Sequence, residues 1–275
     1  MTVNVPSLSL SGGATIPAIG VGTWPLDDDE VTRMLHSAFA AGYRLVDTAE
    51  NYGNEAGVGR AVRASGLDRG DVFVTTKFNR EWHADAVAGV RANLGRLGLD
   101  QVDLVLIHWP NPDQDLYVKA WEGLIEARDQ GLTRAIGTSN FKPAHLDRLI
   151  EATGVVPEVN QIQCNPFAPR LTARDYHAAH GILTESWSPL GNGKGIIEHP
   201  VVAGIAAAHG VTGGQVVLAW HLQQGLLPIP KSSNPARLAE NLGGFGVSLA
   251  DDEIAALTGL ANPQYRVSDS DRFGH

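Results

Sequence analysis

Gly42-Tyr43-Arg44-Leu45-Val46-Asp47-Thr48-Ala49-Glu50-Asn51-Tyr52 brings a short apolar run to a stop on a carboxylate, Asp47. Five residues later a phenol, Tyr52, lies in the loop that leads to the next helix. This grammar, an apolar run that stops at a polar residue before helical spacing begins, recurs along the chain. The runs are residues 18–22, 45–47, 72–77, 102–108, 135–139, 159–162, 182–186 and 227–231, eight in all. Between them, apolar residues recur three and four apart, as in Val31, Leu35, Ala38 and Phe39, or Val87, Val90, Leu94 and Leu97. Asp27-Asp28-Asp29-Glu30 and Asp251-Asp252-Glu253 open helices with carboxylates, which suit the positive end of the helix dipole. Thr212 with Gln215 forms a capping box ahead of another.

Strands that are apolar almost throughout are buried on both faces, which means parallel strands under a layer of helices. Eight such units close most economically into an α/β fold, a (β/α)8 TIM barrel. An open doubly wound sheet would carry Gly-x-Gly-x-x-Gly after its first strand, and Gly20-Val21-Gly22-Thr23-Trp24-Pro25 lacks it. Gly191-Asn192-Gly193-Lys194-Gly195 departs from the phosphate-loop pattern too, and reads as a loop free to fold over a ligand. Residues 7–19 read as an N-terminal β-hairpin cap, with Leu8, Leu10 and Ile16 alternating around a Ser11-Gly12-Gly13 turn. An extra helix and a tail end the chain.

With 275 residues, 43% of them hydrophobic, the chain can bury one large core, and no Ser/Pro-rich or charged linker divides it; residues 1–275 are expected to form a single domain. A net charge of -9 argues against a nucleic-acid or anionic-membrane partner, which would need a basic footprint. The N-terminal residues lack a signal-peptide pattern, and no apolar run approaches the roughly 18 residues of a membrane span, so a cytoplasmic protein is expected. The single cysteine, Cys164, excludes an internal disulfide and a thiolate zinc site. Apart from His108 the histidines share no ligand spacing, and no metal is expected.

In a barrel of this kind, functional side chains collect at the C-terminal ends of the strands and in the loops beyond. Asp47, Lys77, His108, Ser139, Asn140, Gln161, Trp187 and Lys231 all fall there, with Tyr52 close behind Asp47. Asp47 beside Lys77 would keep the ammonium charged, and Lys77 beside Tyr52 would favour the phenolate. Lowering a phenol by two to three units from about 10 takes about 3–4 kcal/mol, within reach of a buried cation. His108 would donate to a carbonyl oxygen and fix its direction. Such a set can protonate an oxyanion as hydride arrives at carbon, or run the reverse. Trp24 and Trp109 at strand ends, with Trp82 after Lys77, are the candidate walls of an apolar substrate pocket; Tyr265 and Phe273 in the tail would cover it. Trp121 and Trp220 fall inside helices and read as core.

These residues carry a resemblance. Residues 42–59, with Asp47, Tyr52, Glu55 and Val58-Gly59, resemble the first signature of the aldo-keto reductases. Gly137-Thr138-Ser139-Asn140-Phe141 resembles the second, and Ile229-Pro230-Lys231-Ser232 with Arg237 and Glu240-Asn241 the third. The resemblance is strongest to short bacterial members and extends from the hairpin to about residue 271. It implies an NADPH-dependent oxidoreductase that reduces aldehydes, ketones or dicarbonyls, commonly as a monomer. Tyr52 would be general acid/base, Asp47 and Lys77 its tuning pair, and His108 the residue that orients the small-molecule carbonyl. Ser139, Asn140 and Gln161 would bind the nicotinamide carboxamide, with the ring on Trp187. Gly22, Thr23, Ser188 and Leu190 would line the cofactor's path. Lys231, Ser232 and Arg237 would surround the 2'-phosphate, with Glu240 and Asn241 near the adenine. NADPH is preferred to NADH because two cations beside a ribose need the extra phosphate.

The chain departs from the family pattern in three places. Trp187 stands where relatives commonly have tyrosine, Thr138 replaces an aliphatic residue, and Phe78-Asn79-Arg80-Glu81-Trp82 stands in place of Leu-Trp-Asn. Two rival functions remain on residues alone: a Schiff-base aldolase using Lys77 or Lys231, weakened by the carboxylate beside Lys77, and a cofactor-binding regulatory protein with negligible turnover.

Overall fold

The computed structural model describes residues 5–274. Strands β1 (Ser7–Ser9) and β2 (Thr15–Pro17) pair antiparallel, with Leu8 opposite Ile16. The turn between them needs a left-handed residue, supplied by Gly13 at φ 91. Eight parallel strands follow: β3 (Val21–Gly22), β4 (Leu45–Asp47), β5 (Phe73–Phe78), β6 (Val102–Ile107), β7 (Thr133–Ser139), β8 (Val159–Gln163), β9 (Leu183–Trp187) and β10 (Leu227–Pro228). Each pairs with the next in chain order, so the eight runs read from the sequence are the eight strands of one curled sheet.

The outermost strands meet across a seam. Gly20 and Gly22 donate their N–H groups to the carbonyls of Pro228 and Pro230, both at 3.1 Å. Pro228 and Pro230 have no N–H to return, so this seam is bonded in one direction only. The first and last strands are consequently shorter than the apolar runs that announced them. Ile229, one residue off, donates to Ser186 on the other side at 3.1 Å.

Helices α1 (Asp28–Ala41), α2 (Glu55–Ala64), α3 (Ala86–Leu97), α4 (Tyr117–Asp129), α5 (Pro143–Thr153) and α6 (Leu171–His180) follow β3 to β8 in turn. The link from β9 to β10 holds two helices, α7 (Pro200–His209) and α8 (Gly213–Gln223); α9 (Pro235–Leu242) and α10 (Asp251–Thr258) come last. The caps fall where the sequence put them: Asp27 accepts from Asp29 and Glu30, and Thr212 with Gln215 closes a reciprocal box before α8. The alanine-rich α7 was not foreseen. It packs on α8 and α10 outside the ring of barrel helices. Residues 191–193 form a short 3-10 turn.

Leu45, Phe73, Leu104, Leu106, Val159 and Leu227 fill the barrel interior, and Leu10 and Ile16 of the hairpin join the same cluster. The Gly12 N–H anchors the hairpin to Glu158 Oε2 at 3.0 Å. The N-terminal end is therefore plugged by apolar side chains, and the opposite end is left for polar ones. Among the described residues, no single helix is long and apolar enough to cross a membrane.

Candidate active site

Lys77 points from β5 into the barrel and is fully buried. Its ammonium donates to Asp47 Oδ1 and Oδ2, each at 2.8 Å, to the Thr48 carbonyl at 2.9 Å, and to Tyr52 Oη at 3.4 Å. Burial works against the charged form of Lys77; Asp47 and Tyr52 overcome it and leave its pKa above the ordinary lysine value. For Tyr52 the expectation of a lowered phenol is not met. Burial pushes the phenol above its ordinary value, and Lys77 opposes that without reversing it. Tyr52 thus holds its proton at neutral pH and has a cation aligned to stabilise the phenolate once the proton is given up.

His108 follows β6, with its ring edge-on to Tyr52 at 5.8 Å between centroids. Its Nδ1 lies 3.1 Å from Asn79 Oδ1, so the orientation of one buried amide decides the imidazole tautomer. With the amide oxygen facing it, Nδ1 donates and carries the proton of the neutral ring; the opposite amide orientation would place that proton on Nε2. Asn79 was absent from the sequence-level candidates, although its place two residues beyond Lys77, where the chain departs from the family pattern, marked it.

A cavity of about 810 Å³ opens over these groups at the C-terminal end of the barrel. Asp47, Tyr52 and His108 form part of its floor, and Trp24 and Trp109 part of its wall. Trp24 is exposed, whereas Trp109 is buried and meets Phe273 of the tail at 4.8 Å. Phe273 and Ser268 also line the cavity, so the tail covers it in part. Lys142 ties this segment down through Asp269 and Asp271, at 2.6 and 2.5 Å, helped by His145 on Asp271 at 2.9 Å. Tyr265 forms no part of the wall: it bonds Asn165 and packs on Phe167.

Gly22, Thr23, Ser139, Asn140 and Gln161 line the same cavity, as do Trp187, Ser188, Leu190 and Lys231. Several of these polar heads are already engaged. Ser139 Oγ donates to the Gln161 carbonyl at 3.1 Å, and Asn140 Nδ2 donates to the His108 carbonyl and to Ser139 Oγ. Gln161 Nε2 donates to Asp47 at 2.8 Å. The Trp187 indole donates to Asn140 Oδ1 at 2.9 Å, so the tryptophan orients that amide as well as offering a ring face. Thr138 lies behind this layer and donates to Asn160 Oδ1 at 3.0 Å.

Five predicted residues besides Tyr265 and the buried Lys77 lie outside the cavity lining. Trp82 rides on a short 3-10 turn to α3, where it covers Gly89 and donates to Glu50 at 2.9 Å; the expectation that it lines the pocket is not met. Ser232 caps its own loop through Asn234, and Arg237 stands exposed on α9. Glu240 accepts from Thr212 at 2.8 Å, and Asn241 is buried beside Tyr43. Among the described residues, no carboxylate lies within 4.0 Å of the Lys231 or Arg237 cation.

A further buried carboxyl was overlooked. Glu185 on β9 is fully buried, and neither of its oxygens has a hydrogen-bond partner.

The profile described as the aldo/keto reductase family matches residues 18–195 and 199–262. The chain is 46% identical to 2,5-diketo-D-gluconic acid reductase B of Corynebacterium sp. (strain SHS752001), over 94% of each chain. It is 40% identical to methylglyoxal reductase DkgA of Escherichia coli (strain K12), covering 98% of this chain and 99% of that one. Among solved structures, a mutant of Gox0644 in complex with NADPH superposes with a TM-score of 0.92 at 40% identity over 98% of each chain.

Proposed function

Since the chain belongs to the aldo/keto reductase family, we propose that it is an NADPH-dependent oxidoreductase that reduces aldehydes, ketones or dicarbonyls to alcohols, with Tyr52 as the general acid. The observation that carries this reading is the buried ammonium of Lys77. Asp47 and the Thr48 carbonyl hold it, and its remaining donor meets Tyr52 Oη at 3.4 Å. A carbonyl oxygen resting between Tyr52 and His108 would receive the phenolic proton as negative charge builds on it. Lys77 then faces the phenolate left behind. The Asn79 amide, bonded to Nδ1, sets whether Nε2 of His108 carries a proton.

The chain's own residues fit NADPH. Lys231 at the cavity rim and Arg237 beyond it are cations without a protein carboxylate within 4.0 Å among the described residues, a donor set suited to a phosphate. Ser139, Asn140 and Gln161 offer their remaining amide and hydroxyl capacity to a carboxamide, and Trp187 offers a flat face. Bound there, the reduced nicotinamide supplies the hydride. The NADPH complex of a relative at 40% identity supports the same choice.

Two relatives are named for a diketo acid and for methylglyoxal, so a dicarbonyl is the first substrate to test. An aldolase built on Lys77 is disfavoured because every donor of Lys77 is engaged and its pKa is raised, which leaves no free amine for a carbonyl carbon. We read residues 1–275 as one cytoplasmic unit acting on small molecules. The test is NADPH oxidation with methylglyoxal, run beside Tyr52→Phe. Turnover that vanishes in the variant supports the assignment; equal turnover in both removes Tyr52 from the role, and none in either removes the reductase reading.

A further inference from the structure

Glu185 lies on β9 two residues from Leu183 and two from Trp187, both of which pack against the barrel-interior cluster. Strand alternation therefore turns it inward with them, one layer beneath the cavity floor. Its register neighbours are Gln161 on β8 and Leu227 on β10. Asp47 from β4, Lys77 from β5 and Tyr52 from the turn after β4 are the ionisable groups that act on it or feel it. Gln161 is the one neutral polar side chain on β8 to influence it, and its Nε2 is turned to Asp47. β10 and the residue after it bring Leu227 and Ile229 to this interior.

With Asp47 negative, Lys77 positive and Tyr52 neutral, the buried set carries no net charge. A second carboxylate there would leave the set with a net negative charge, and its nearest donor, the Gln161 amide, is turned to Asp47. Deepening the reading of Tyr52 given above, we propose that Glu185 is a positioning residue for the Tyr52 proton: a neutral acid that leaves the charge of Lys77 undivided for the phenol, and on ionising holds the proton on Tyr52. Burial, then Asp47, push its carboxyl up to about 8, against Gln161 and Lys77. Its anion in turn raises the Tyr52 phenol. Above that pH, Tyr52 keeps its proton longer. Reduction extends to more alkaline pH, and alcohol oxidation, which needs the phenolate, is held back.

The test has two arms. The first compares pH profiles of kcat/KM for reduction in wild type and Glu185→Gln, with Glu185→Met as a second neutral variant should the amide impair folding. The alkaline limb should move down by about one pH unit in both. The second is infrared spectroscopy of the protein without cofactor. Wild type should show the carbonyl stretch of a protonated carboxylic acid below pH 8 that fades above it and is missing in Glu185→Gln. Superimposable profiles, or no such band below pH 8, overturn the proposal. A wild type that reduces no carbonyl overturns the reductase reading instead, and the infrared band still decides the state of Glu185.

Discussion

Lys77 and Lys231 both stand near strand ends of one barrel, yet the chain surrounds one with partners and, among the described residues, sets no carboxylate beside the other. Lys77 is fully buried and spends its donors on Asp47, Thr48 and Tyr52. Lys231 is exposed at the cavity rim, and Arg237 is exposed beyond it. The reason is the solvent. A buried ammonium without partners costs several kcal/mol, so Lys77 comes with a carboxylate; an ammonium in water gains little from one. A buried cation can therefore act only on its neighbours, whereas an exposed one takes effect when an anion arrives.

That contrast can be broken by experiment. Tyr52→Phe removes the group on which the buried cation acts. It should lower kcat/KM for carbonyl reduction about 10²–10⁴-fold, with NADPH affinity by tryptophan quenching nearly unchanged. Lys77→Met should cost about 3–5 kcal/mol in urea unfolding, because Asp47 stays buried and unpaired. A loss below about 1 kcal/mol would erase the distinction drawn between the lysines. Lys231→Met and Arg237→Met should each weaken NADPH about 10–100-fold and leave NADH and unfolding nearly untouched. Equal losses for both cofactors would detach those cations from a 2'-phosphate. Lys142→Ala cuts the exposed tie of the tail, and should raise the KM of a bulky aldehyde by a factor worth about 1 kcal/mol or less, with kcat held.

The same difference in surroundings explains what the sequence revealed. Asp47, Tyr52, Lys77 and His108 were legible because each ends or follows an apolar run, and strand ends converge in a barrel. Trp82 was misplaced because a strand end does not tell where the chain goes next; the turn at residues 80–82 carries it to α3. Arg237, Glu240 and Asn241 sit on a helix outside the cavity wall, so in the sequence their relation to a cofactor was legible only through the family resemblance. Glu185 was missed because it lies inside a run read as plain strand. The signal was present: two residues before Trp187, it shares the inward face. Asn79 was set aside as a departure from the family pattern, although a departure two residues beyond Lys77 is where a new partner is to be sought.

The one-way seam between β3 and β10 joins the first strand of the barrel to the last. It closes the longest loop in the sheet with half the usual ladder, so its entropy is the last to be repaid as the barrel assembles. In deuterium exchange the Gly20 and Gly22 amides should lose protection before those of β5 and β6. A new chain start cut into this seam would spare the ladders that hold Lys77.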